Sequence, residues 1–288
     1  MPLKLGLCTM IYLDYATLED AIERTAKFGY QGIDIWADSP HLDPLSQDKS
    51  YRQEIRKLCQ DRGLEIVALS VIGGALARRY NFSYSKDWVR QETVDYYKKC
   101  VDLAADIGCP YINIISGHMM AGTSFEQAWQ WNREGMSKVA KHAEPCQVTL
   151  ALHTLTPSES RVIVTLDDSL KMMKEINSKN CRLMIDTADQ NITDPHLSDS
   201  VRKAAEHLVY IHISDNSGSG EGLVHNVPGK GTINWRMFIR ALKEVGYSGY
   251  LTAQLNCGVP IDPDAWVYET YEYMFKLIQE SSNRTAKA

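Results

Sequence analysis

Long apolar runs are missing from this 288-residue chain, and none approaches the roughly 20 residues that a bilayer-spanning helix needs. No membrane partner is therefore expected. Clusters of Lys or Arg are missing too, as is any stretch where aromatic and basic residues interleave. With 31 basic against 36 acidic residues the net charge is −5 and the pI about 5.9, so charge would hold neither nucleic acid nor an anionic membrane surface. The seven cysteines (Cys8, Cys59, Cys100, Cys109, Cys146, Cys181 and Cys257) include no Cys-x-x-Cys pair. Their odd number and scatter argue against a disulfide framework and for free thiols in a reducing cytosol. No basic, apolar and small-residue leader lies between Met1-Pro2 and the first strand-like segment, and a cytoplasmic location is expected. Linkers rich in Gly, Ser or Pro are absent. Residues 1–288 are expected to form one domain, with a polar tail from about residue 281.

What the chain does have is a rhythm. Short apolar, β-branched runs fall at residues 5–9, 32–36, 65–71, 111–116, 149–153, 182–186, 209–214 and 249–255. They are mostly continuous in hydrophobicity, as parallel strands buried on both faces are. Helix signals fill the gaps. Thr17-Leu-Glu-Asp20 reads as a capping box opening a helix that ends near Gly29. Val94, Tyr97, Val101 and Ala104 recur at helical spacing within residues 87–107, and Gly108 follows where a left-handed cap belongs. Gly63 and Gly246 repeat that arrangement before strands three and eight. Eight alternations predict an α/β fold, a single (β/α)₈ TIM barrel, rather than an open sheet. An open sheet would more naturally carry a glycine-rich phosphate turn after its first strand, and Cys8-Thr-Met-Ile-Tyr12 is not one.

In such barrels reactive groups come from the C-terminal ends of strands and the loops after them. Strand five ends at His153, strand six at Asp186, strand seven carries His212 and strand eight Gln254. Each alone reads more readily as a hydrogen-bonded structural residue than as a ligand, Gln254 most of all. Four donors on neighbouring strands point to one divalent metal ion. Trp36 and His41 follow strand two, His118 follows strand four, and His225 lies in the long loop after strand seven; these are the candidate substrate contacts. An indole there can stack on a sugar ring or simply pack. Tyr80, Arg78 and Arg79 lie in the loop after strand three, where they would cover the pocket. His142, His196 and His207 fall on or near helices and receive no role.

Several segments carry a family resemblance. They are residues 29–36 with Pro40-His41, residues 155–160, residues 184–186, residues 212–216 with 225–231, and residues 249–252. In order and spacing they resemble the xylose-isomerase-like barrel superfamily of sugar isomerases and epimerases, above all its fructoselysine and other ketose 3-epimerases. The resemblance implies a metal held by Glu, Asp, His and Glu from strands five to eight, the two glutamates also serving as the acid/base pair. This chain matches at Asp186 and His212 but places His153 and Gln254 where the glutamates would be. Gln254 cannot act as a base. The family's further Glu, six residues after the first ligand, is kept as Glu159, and its His three residues after the aspartate is replaced by Asp189. With a dication the family set carries about −1, whereas His153, Asp186, His212 and Gln254 would leave about +1. That is a stronger Lewis acid, and imidazole shifts preference towards Zn, Co or Fe, with Mn still open.

Three readings follow. One is a metal-dependent sugar isomerase or epimerase working through an enediolate, with His153, Glu159, Asp189 and His118 as candidate bases. A second is a lyase that cleaves a 3-oxo-glycoside or related keto-sugar by β-elimination, which needs only one base. The third is a non-catalytic sugar-binding relative. In each the partner is a small-molecule sugar, and pairing into a homo-oligomer is compatible with all. Endonuclease activity does not fit so acidic a chain.

Overall fold

A computed structural model describes residues 3–73, 76–194, 196–219, 225–256 and 262–285. Eight parallel strands close into a barrel in sequence order. They are β1 (Lys4–Cys8), β2 (Gly32–Trp36), β3 (Glu65–Ser70), β4 (Tyr111–Ile114), β5 (Thr149–Leu152), β6 (Cys181–Asp186), β7 (Leu208–Ile213) and β8 (Tyr250–Ala253). Every expected strand is present, with ends differing by at most two residues. The β1–β8 pairing that closes the ring sets Gly6 against Thr252 and Leu7 against Ala253.

Helices wrap the outside: α1 (Leu18–Lys27), α2 (Lys49–Asp61), the short α3 (Leu76–Arg79), α4 (Asp87–Ile107), α5 (Phe125–Cys146), α6 (Leu166–Ile176), α7 (Thr187–Thr193), α8 (Leu197–Ala204), α9 (Trp235–Glu244) and α10 (Pro263–Thr285). Their ends obey local chemistry. Thr17 Oγ1 accepts the Asp20 N–H at 3.2 Å, which is the forward half of the expected box. The complete reciprocal box occurs at α6, between Thr165 and Asp168. Gly108 ends α4 at φ +74°, and Gly63 and Gly246 adopt the same left-handed backbone, where any Cβ would be strained. The apolar stripe of α4, with Val94, Tyr97, Val101 and Ala104, is buried against the barrel.

Most of the core lies between strands and helices. A separate cluster formed by Val67, Ala68, Ala151, Met184 and Tyr210 fills the barrel interior. Because side chains alternate along a strand, the residues two places beyond Ala151, Met184 and Tyr210 also point inward. Those are His153, Asp186 and His212. Beyond Thr252 on β8 the same rule gives Gln254. His153 and Gln254 lie one residue past their strands, yet the ladder continues: His153 N–H donates to Ile114 O at 3.0 Å and Gln254 N–H to Ile213 O at 3.1 Å. The inner packing thus carries these four side chains as its uppermost layer.

Cys8, Cys59, Cys100, Cys109, Cys146 and Cys181 are free thiols; Cys257 lies outside the described residues. No helix among the described residues is long and apolar enough to cross a membrane.

Candidate metal and sugar site

Asp186 is the hub of the upper layer. Its Oδ1 accepts the backbone N–H groups of Ala188 at 2.9 Å and Asp189 at 3.2 Å, capping α7. Its Oδ2 is buried with no hydrogen bond. Around that oxygen stand His212 Nδ1 at 3.5 Å and His153 Nε2 at 3.8 Å, while His225 Nδ1 lies 4.0 Å from Oδ1. Burial alone would raise the Asp186 carboxyl, but His225, His212 and His153 outweigh it and hold the group well below the usual carboxylate range.

His212 is held from the other side. Asp34 on β2 is fully buried, and its Oδ2 accepts from His212 Nε2 at 2.7 Å, Ser70 Oγ at 2.8 Å and Tyr210 Oη at 2.8 Å. A carboxylate can only accept there, so Nε2 carries the proton and Nδ1 faces Asp186. Burial lowers the affinity of His212 for its second proton, but Asp186 and Asp34 reverse this and raise its pKa to about 9. The sequence reading missed Asp34, Ser70 and Tyr210. All three sit mid-strand or at a strand end as ordinary-looking residues, and Asp34 meets its partner across 178 positions of sequence.

His153 Nε2 lies 3.0 Å from Asp189 Oδ2, a hydrogen bond in which either group can carry the proton, and its buried Nδ1 has no partner. Burial pushes its pKa down. Burial, with Asp186 and Glu159 adding, pushes the Asp189 carboxyl well up. Gln254 points Nε2 at the Met10 sulfur, 4.0 Å away, and its Oε1 is buried and unpartnered. Unsatisfied polar atoms are uncommon in native interiors. Here Asp186 Oδ2, Asp189 Oδ1, His153 Nδ1, His212 Nδ1 and Gln254 Oε1 are all in that state at one place. Nitrogen and oxygen donors lacking partners suit a borderline divalent ion such as Zn, Co, Fe or Mn.

Above this layer opens a cavity of about 690 Å³, lined among others by Trp36, His118, His153, Glu159, Asp189, His225 and Gln254. That volume is in the range of small-molecule sites. Trp36 occupies one wall because residue 73 is glycine: a Cβ there would lie 2.5 Å from the indole. Glu159 is half-buried, accepting from Thr156 Oγ1 at 3.2 Å, and burial raises its carboxyl against the pull of His153. His118 bonds through Nδ1 to the Glu159 carbonyl at 3.0 Å. His225 is tied to the end of β8 by paired backbone hydrogen bonds with Asn256, at 3.0 and 2.9 Å, and by Nδ1 to Ser214 Oγ at 3.0 Å. Arg78 also lines the cavity, but Arg79 turns away to pair with Glu92 at 2.6 Å. Tyr80 is buried and stacks on Tyr96.

His41 is the candidate that the fold keeps apart. It is fully buried, with Nδ1 at 3.0 Å from Thr9 Oγ1 and Nε2 at 3.3 Å from Ala16 O, and it is not among the cavity-lining residues. Its two ring nitrogens are spent on packing the loop after β2 against the segment after β1. A second hollow, of about 560 Å³, lies on the flank beside α6 and α8 and is lined by Lys171, Lys174, Lys203 and Asp167 among others; none of the site residues reaches it.

Comparison with known proteins agrees with this architecture. Fructoselysine 3-epimerase of Shigella flexneri is 25% identical over 263 residues, covering 91% of this chain and 94% of that protein. The structure of an L-ribulose 3-epimerase superposes with a TM-score of 0.84 at 20% identity, covering 99% of this chain and 97% of the other. That of a 3-keto-D-glucoside 4-epimerase from E. coli gives 0.79 at 16% identity, with 95% and 99% covered. The family profile of xylose isomerase-like TIM barrels matches residues 22–277, and the chain belongs to that family.

Proposed function

We propose that this chain is a metal-dependent sugar epimerase or isomerase acting at a carbon next to the carbonyl of a ketose or keto-sugar. The observation that carries this reading is the convergence of unpartnered, buried donor atoms of Asp186, His212, His153, Asp189 and Gln254 beneath a cavity large enough for a sugar. The relatives that act on ketoses and on a 3-keto-glucoside support the substrate class. Their names lend no support to the lyase alternative.

Asp186 and His212 would hold a dication, which would polarise the sugar carbonyl and so acidify the neighbouring C–H. The protein's own groups then move the proton. Gln254 has no proton to exchange, which leaves the two sides of Asp186 to other residues. Glu159, after β5, has a carboxyl raised by burial towards the range where a general base is efficient. It takes the proton and leaves a planar enediolate. His225, after β7 on the other side of β6, returns a proton from the opposite side. Trp36 holds a sugar face, and Arg78 stands at the wall where an anionic substituent would be held. The free thiols fit a reducing, cytoplasmic setting.

The test is solvent deuterium wash-in. Protein loaded in turn with Mn, Co, Zn or Fe is incubated with ketoses and 3-keto-glucosides in D₂O and followed by NMR. Deuterium at the carbon beside the carbonyl, together with the epimer, is the expected result. Aglycone release without an epimer would replace the proposal with the lyase, and binding without exchange would leave a sugar-binding relative.

A further inference from the structure

Two ligands at about 2.1 Å from one ion, separated by 90–110°, stand roughly 3.0–3.4 Å from each other. The distances at the barrel top can be compared with that. His153 Nε2 to Asp189 Oδ2 is 3.0 Å, Asp186 Oδ2 to His212 Nδ1 is 3.5 Å, and His153 Nε2 to Asp186 Oδ2 is 3.8 Å. Donor atoms of His153, Asp186 and Asp189 all lie within 4.8 Å of one another. These are close to the edges of a coordination polyhedron.

Asp186 and Asp189 are both fully enclosed, and they lie three residues apart, at the cap and in the first turn of α7. Two buried carboxylates so close repel unless a proton or a cation sits between them. Asp189 Oδ1 and Asp186 Oδ2 have no hydrogen bond. Gln254 contrasts with them. It is a neutral amide whose Nε2 lies against the Met10 sulfur, and it does nothing to balance a dication.

We propose that Asp189 is a direct metal ligand, completing a set of His153, Asp186, Asp189 and His212, and that Gln254 stays outside that set. The inference rests on the metal-dependent reading above. It moves the fourth ligand from the end of β8 to the first turn of α7. It also changes the charge: two carboxylates neutralise a dication, so the centre is formally about 0 rather than about +1. Asp189 is thereby removed from the acid/base candidates, and Gln254 is left as a cavity-lining amide outside the metal set.

The test is calorimetric titration of metal-free protein with Mn²⁺, Co²⁺ and Zn²⁺, comparing wild type with Asp189→Asn and Gln254→Ala. Co²⁺ absorption spectra and metal-free melting curves accompany it. Asp189→Asn keeps the size and a hydrogen-bond acceptor for His153. It is expected to bind metal roughly 100-fold more weakly or worse and to change the Co²⁺ spectrum, while its metal-free melting curve shows that the fold is kept. Gln254→Ala should bind metal nearly as wild type with the Co²⁺ spectrum unchanged. Wild-type affinity in Asp189→Asn, or an equal loss in Gln254→Ala, would overturn the assignment of Asp189 while leaving the metal centre standing. A wild-type protein that binds none of the three ions would overturn both.

Discussion

Asp102, His142 and Cys146 stand together on α4 and α5, and His153, Asp186 and Asp189 stand together at the top of the barrel; within each trio the donor atoms lie within 4.8 Å of one another. By residue type and spacing the first is as good a metal site as the second. His142 and Cys146 even share a helix face at i, i+4. What separates the trios is water. The outer pair is exposed, with His142 Nε2 bonded to Asp102 Oδ1 at 2.7 Å and side-chain exposures of 34% and 54%. Nothing there is left wanting a partner. In the inner trio each residue has a buried atom with no hydrogen bond, a demand that an ion, a ligand or a bound water would meet. Proximity of donors is common on protein surfaces, whereas unmet buried demand is the rarer and more informative observation.

That contrast can be tested hard. The largest effect expected is loss of metal in His153→Ala or Asp186→Asn, greater than the ~10–100-fold cost of losing an outer partner. Elemental analysis of protein purified without chelator checks it, and retention of a full equivalent in both variants would show that the inner trio is no metal site. Next, Glu159→Gln should lower turnover by about 10²–10⁴-fold with metal content unchanged; a similar turnover in the variant would remove Glu159 from the chemistry. Asp34→Asn probes the buried support rather than the donors. It should weaken metal binding by about 10–100-fold through His212, and an unchanged affinity would mean the ring is oriented without it.

A smaller, graded effect is set by pH. His212 is raised to about 9 in the metal-free protein, so a metal taking Nδ1 must displace a proton. Metal affinity should fall about tenfold per pH unit below about 9, and a flat profile would contradict that. The metal-free fold responds with its own sign. A group whose folded pKa is raised stabilises below its unfolded pKa, so the His212 contribution is complete below about 6.5 and lost as pH rises through about 9. The smallest effect belongs to the outer trio. His142→Ala with Cys146→Ser should change neither metal content nor stability by more than about 0.5 kcal/mol; a lost equivalent of metal would abolish the distinction between the trios.

How much of this was legible beforehand follows the range of the interaction. Strands and helix ends are written locally, in apolar runs and in residues such as Thr17, Gly63, Gly108 and Gly246, and they were placed within two residues. His153, Asp186, His212 and Gln254 could be named because strand ends occupy one rim. Distances could not be read. Sequence gives the offset of Asp189 from Asp186 and so names it as an acid/base candidate, but it does not give its 3.0 Å approach to His153. Asp34 was hidden inside an apolar strand, and its purpose lies across the barrel. His41 was placed by order alone, and its buried bonds to Thr9 and Ala16 were invisible.

The Asp186 carboxylate caps α7 with one oxygen while the other lies buried, without a hydrogen bond, between the His212 and His153 ring nitrogens. An aspartate employed this way is oriented by backbone amides before any cation arrives. A metal centre built on it, as proposed above, would be loaded after folding, and its occupant could be exchanged without unfolding. On the proposed metal-dependent reading, catalytic output would then follow the supply of trace elements, and two preparations of one sequence grown in different media would differ in activity while being indistinguishable in fold.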